Sequence, residues 1–164
     1  MTADTTRPAV KGKTATAELK KPVTLGGLSI SLTRANHKHS DGGPTLGMWT
    51  FSIKKGAATK EIELRSDEEQ FQAEVAIQGV ALVFELVSYE KFTVTLAAAK
   101  APKPLSDDAC AAMITQAADD AEIEQGASRG WSNHEGIVVM TGEGWRGYCG
   151  TLTKRVWLDK TKGK

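Results

Sequence analysis

Cysteine and proline are scarce in this chain, aromatic residues make up only 6% of it, and neither sign of charge dominates. Each shortage narrows the reading. Five Pro and 16 Gly are too few for a collagenous or low-complexity chain. The 21 Lys+Arg stand against 20 Asp+Glu, a formal charge of +1, which lacks the basic surplus of a dedicated nucleic-acid binder. No apolar run reaches the roughly 20 residues that a membrane-spanning helix needs. The first 21 residues carry no central apolar stretch of the signal-peptide kind. That start suits either a cytoplasmic protein or the mature form of an exported one. Cys110 and Cys149 leave two readings open. They can close one long loop, contributing about 3–4 kcal/mol, or pack as two buried thiols. A chain of 164 residues can enclose a core without a staple.

Several chemical signatures are also missing. There is no Gly-x-Gly-x-x-Gly opening a helix, no Walker loop and no Gly-x-Ser-x-Gly elbow. HExxH, paired Cys-x-x-Cys and EF-hand loops are absent as well.

What is present is alternation. Leu28, Ile30 and Leu32 alternate with Ser and Thr, as do Trp49, Phe51 and Ile53, and Phe92, Val94 and Leu96. Ile62 and Leu64 lie between charged neighbours, and Phe71, Ala73 and Val75 alternate with Gln72 and Glu74. A period of two is the mark of a strand with one buried and one solvated face. Val80 to Val87 is broken only by Glu85 and reads as a central strand covered on both sides. Gly26-Gly27, Asp41 to Pro44, Lys55-Gly56, Ser66-Asp67 and Tyr89-Glu90 supply turns at matching intervals. The period then changes. Ser106 can cap a helix over 105–125, with Asp107 and Asp108 at its positive end and Cys110, Met113, Ile114, Ala117 and Ala121 on one face. Gly126 is its expected stop.

The expected architecture is mainly β: an antiparallel β-sandwich or barrel with one amphipathic helix inserted before the C-terminal strands. A flexible tail is expected over 1–21, where five cations outweigh two carboxylates (+3). A single β-rich domain follows over 22–159, with a β core over 22–100, a polar loop over 127–135 and C-terminal strands over 136–158. A charged tail closes the chain over 160–164. From Lys154 onward five cations face Asp159 alone (+4), a pattern that could bias the protein toward an acidic partner and is also that of a commonplace solvated Lys tail.

Three constellations could carry function. His37, His39 and Asp41 are spaced by two, so an extended backbone would send all three to one side, as Zn or Cu(II) coordination needs. A flanking Gly42-Gly43-Pro44 favours a loop instead. His134 could complete that site, or serve as the base for a Cys149 thiolate set between Gly147 and Gly150. Trp131 and Trp145 lie among Arg129, Asn133, His134 and Arg146, a mixture used in peptide or sugar recognition and also found in loops that lid a core. The favoured reading is a non-catalytic binding or protein-interaction module for an unknown protein or a small polar or carbohydrate ligand. Its binding residues would be Arg129, Trp131, Asn133, His134, Trp145 and Arg146, with no cofactor. The alternative is a Zn or Cu protein or small hydrolase using His37, His39, Asp41, His134 and Cys149.

Overall fold

The computed structural model describes residues 8–39, 45–66, 71–123 and 130–160. By the density of their contacts these fall into two compact units. One is Val10–Pro102; the other is formed by residues 103–160 together with Pro8 and Ala9.

The alternating segments of the first unit are strands: β1 (Lys13–Glu18), β2 (Val23–Leu25), β3 (Leu28–His39), β4 (Thr45–Lys55), β5 (Ala58–Ser66), β6 (Gln72–Ile77), β7 (Val80–Ser88) and β8 (Lys91–Ala98). They form two antiparallel four-stranded sheets, ordered β1-β8-β7-β6 and β2-β3-β4-β5. Two-residue turns join most neighbours. At Gly26-Gly27 both φ values are positive (55° and 82°), the twist a tight hairpin needs and the conformation glycine adopts without steric cost.

The apolar face of each sheet meets the other in one core. Phe51 on β4 stands 4.7 Å from Phe84 on β7 and 5.1 Å from Phe92 on β8, and Trp49 lies 5.2 Å from Phe92. The Trp49 indole N–H donates to the Tyr89 carbonyl at 2.8 Å, so the ring is buried without leaving its donor unmet. Such interdigitation between two sheets makes this unit an antiparallel sandwich. Val80 to Phe84 are buried at every position, as the unbroken apolar run predicts.

The start of the chain departs from the expected tail. Lys13–Glu18 is an edge strand paired with β8 from Lys13↔Leu96 to Glu18↔Lys91, with Ala17 fully buried. Main-chain bonds and small alanines hold it, and these leave no strong hydropathy signal. Its end is fastened by Glu18, which pairs with Lys21 at 3.3 Å and Lys91 at 3.5 Å. The Lys21 hydrogen bond and charge, then the Lys91 charge, hold the Glu18 carboxyl below the usual carboxylate range. From there the chain passes to the other sheet, where the Lys20 N–H donates to the Leu32 carbonyl at 2.9 Å.

In the second unit a helix, α1 (Asp107–Asp120), packs on an antiparallel sheet of β9 (Gly130–His134), β10 (Ile137–Gly142), β11 (Trp145–Gly150) and β12 (Val156–Lys160), ordered β12-β11-β10-β9. Ser106 caps α1 by accepting from the Ala109 N–H at 3.1 Å, and Asp107 and Asp108 occupy the first turn. The helix ends at Asp120, earlier than expected; Gly126 lies outside the described residues. The helix and last strands, read from sequence as part of one domain, hold a hydrophobic cluster of their own. Cys110, Ile114 and Ala118 of α1 pack there with Val138, Met140, Trp145, Cys149 and Leu158 of the sheet. A Cys110–Cys149 disulfide ties α1 to β11.

Candidate functional site

The segment read as a polar loop over 127–135 is, from Gly130 onward, the edge strand β9. A two-residue turn at Glu135-Gly136, with φ of 53° and 81°, folds it back on β10 in the register His134↔Ile137 to Gly130↔Thr141. β9 has one large apolar residue, so no period could announce it; its ladder to β10 holds it in place. Every residue of β9 is exposed.

The register sorts the proposed binding residues onto the two faces of the sheet. Trp131 lies opposite Met140 and Asn133 opposite Val138, which puts both on the side that carries α1. His134 lies opposite Ile137, and Arg146 opposite Thr141, which puts these two on the other side. Trp131 keeps 42% of its surface exposed. Trp145 does not share that surface: it is 1% exposed, inside the α1 cluster, with its indole ring against Gly142. Among the described residues its Nε1–H finds no acceptor. Trp145 is therefore a core side chain, because on β11 it falls in phase with Gly147 and Cys149 toward the helix. Arg129 lies outside the described residues.

Asn133 is committed locally. Its Nδ2 donates to Asp107 Oδ1 at 2.9 Å, and its Oδ1 accepts from the Gly136 N–H at 3.1 Å. One side chain thus fixes the hairpin turn and ties β9 to the start of α1, leaving Trp131 as the exposed element of the pair.

His37 and His39 are two apart on β3, whose backbone is extended there and pairs with β4 (His37↔Gly47, His39↔Thr45). Their side chains, and Asp41 altogether, lie outside the described residues. Among the described residues no group of three or more His, Cys, Asp or Glu side chains is assembled as a metal site. The Cys149 sulfur is bonded to Cys110 and buried, so it is not a thiolate in this structure. Gly147, two residues before it, serves packing: a Cβ there would collide with Ile114 Cγ2 of α1. Arg155, one of the cations read as a lure for an acidic partner, is also structural. It is 8% exposed, bonds Thr153 Oγ1 and the Pro8 carbonyl, and lies over the Trp157 ring at 5.1 Å.

A groove of about 490 Å³ opens on the outer face of the β2-β3-β4-β5 sheet, lined by Thr33, Arg34, Thr50, Glu61, Ile62 and Glu63. It forms where the β3–β4 register slips between Leu32 and Arg34, and Thr33 Oγ1 donates to the Thr50 carbonyl at 3.1 Å. Arg65 bonds Glu63 Oε1 through Nη2 at 2.6 Å and Nε at 2.8 Å. Sequence reading gave no sign of it, since a bulge is set by pairing rather than by composition. An open groove with mixed charge resembles a solvated sheet face more than an apolar ligand pocket.

These features define the class of protein as an antiparallel β-sandwich unit followed along the chain by a disulfide-linked helix-on-sheet unit. No family model, curated protein or solved structure matches the chain. Among the described residues no helix is long and apolar enough to cross a membrane.

Proposed function

We propose that the chain is a non-catalytic binding module whose contact surface is the edge strand β9, with Trp131 as its anchor. The observation that carries this reading is the exposure of Trp131. The other three tryptophans, Trp49, Trp145 and Trp157, are at most 3% exposed, whereas Trp131 is 42% exposed on a strand that, among the described residues, has an open edge. A wide, rigid ring on a backbone fixed by Asn133 and the α1 start offers large contact area at small entropic cost. The engagement of Cys149 with Cys110 weighs against the thiol-hydrolase alternative.

Because Trp131 is the accessible tryptophan, its replacement isolates the surface without touching a core. Immobilised peptide and glycan arrays probed with the wild type and with Trp131→Ala provide the test. Ligands retained by the wild type are expected to weaken about tenfold or more in the variant, the scale of an interface anchor. Unchanged retention by Trp131→Ala would overturn the reading.

A further inference from the structure

We propose that β9 pairs with β9 of a second copy of this chain, forming a closed twofold dimer; the proposal rests on the reading of β9 as the contact surface. Edge strands invite pairing, and proteins commonly guard them with charge, proline or shortness. Among the described residues, five of the six strands at sheet edges are guarded in that way or covered. β1 carries Lys13 and Glu18, β5 carries Lys60, Glu61, Glu63 and Arg65, and β12 carries Asp159, while β6 is largely buried, Glu74 included. β2 is three residues long and follows Pro22. β9, Gly-Trp-Ser-Asn-His, has no Asp, Glu, Lys, Arg or Pro, and all of it is exposed.

The main chain of β9 is self-complementary. In a hairpin closed by a two-residue turn the flanking pair, His134↔Ile137, exchanges both hydrogen bonds, and such pairs alternate along the ladder. Trp131 and Asn133 are therefore the residues whose N–H and C=O groups point away from β10, toward the open edge. A twofold axis through Ser132 sets Trp131 against Asn133 of the partner subunit and Asn133 against the partner's Trp131. All four outward pairs of groups are then used. Both tryptophans stay on the α1 side of the joined sheet, diagonal to each other and within reach of contact. No like charges meet along the seam. The pairing consumes the unguarded edge of both copies and leaves the charged β12 edges outermost, so the assembly closes at two instead of growing into a filament. A five-residue seam buries much less than the about 1,600 Å² of a standard stable interface, so the dimer is a reversible, concentration-dependent one.

Sedimentation velocity of the full chain from micromolar to near-millimolar concentration tests this, with Ser132→Lys and Trp131→Ala beside the wild type. Ser132 is exposed and faces away from Trp131, so Ser132→Lys leaves the aromatic surface and the β10 ladder in place but sets two like charges across the axis. Circular dichroism confirms that each variant is folded. The expected result is a monomer–dimer equilibrium for the wild type and monomers for both variants. A wild type that stays monomeric throughout overturns the second-copy proposal. Dimerisation that persists in Ser132→Lys overturns it too, by moving the interface elsewhere. Neither result touches the binding-module reading if array ligands still depend on Trp131, whereas array ligands indifferent to Trp131 would remove that reading by itself.

Discussion

Glu122 takes a conformation that its side chain disfavours. The end of α1 is closed by a pair of main-chain bonds, Glu122 N–H to the Asp119 carbonyl and Ile123 N–H to the Ala118 carbonyl, both near 3.0 Å. This arrangement needs a left-handed residue between them, and Glu122 supplies it at φ 59°. For a residue with a Cβ that conformation costs about 1–2 kcal/mol. The carboxylate adds a second penalty, because it sits at the negative end of the helix dipole and the last turn has no basic residue. Glu122→Gly removes both effects and is expected to stabilise the helix-on-sheet unit by about 1 kcal/mol, after the loss of unfolded-state restriction that glycine brings. Urea denaturation followed by circular dichroism measures it, with Glu122→Gln as the control that removes only the charge and should gain a few tenths of a kcal/mol. Equal gains in the two variants would show that the backbone conformation is not the source. The local chemistry here was half legible in the sequence: Ser106 and the two aspartates announced the start of the helix, but its stop uses a glutamate where glycine is the usual sign.

Gly147 decides how closely α1 approaches the sheet. It lies on β11 opposite Met140, and any Cβ there would meet Ile114 on the helix and crowd Leu158. Gly147→Ala is expected to cost about 1–3 kcal/mol, the range for forcing extra volume into a close-packed core. A fall in melting temperature by calorimetry checks this, and Gly130→Ala, on a strand where φ is not positive and a Cβ would meet nothing, separates crowding from the effect of adding a Cβ as such. The same pair shows why the strands differed in legibility. β3, β4 and β8 put large apolar residues at every second position against a facing sheet, and β7 is apolar almost throughout, so all four show in the sequence. β11 uses glycine at an inward position, and β9 and β1 are held by main-chain ladders with few large apolar groups. The candidate site suffered most from this. Trp131 and Trp145 have similar neighbours in the sequence and share the α1 side of the sheet, and only the strand order, with β9 at the edge and β11 inside, leaves one exposed and the other in the core.

The two units differ in what their stability rests on. The sandwich encloses Phe51, Phe84, Phe92 and a long series of buried aliphatic residues from both sheets. The helix-on-sheet unit spans roughly 60 residues, a size at which a single core rarely supplies more than about 3–5 kcal/mol. Its disulfide links positions separated by 39 residues, and the whole closed loop lies within that unit. Closing such a loop contributes about 4 kcal/mol in the chain-entropy account, which is comparable to everything the small core can offer. The paired substitution Cys110→Ala/Cys149→Ala should therefore bring this unit close to the midpoint of its own unfolding while leaving the sandwich intact. Hydrogen exchange read by mass spectrometry resolves the two. Amides of β9 to β12 and α1 should exchange nearly freely in the variant, and those of β3, β4, β7 and β8 should keep their protection. Loss of protection in both sets together would mean that the units unfold as one. Retained protection in both would mean that the helix-on-sheet core is stronger than its size allows. In the expected case the β9 edge disappears with the unit that carries it, so ligand retention through Trp131 and self-association should both be lost in the disulfide-free protein, although its sandwich remains folded.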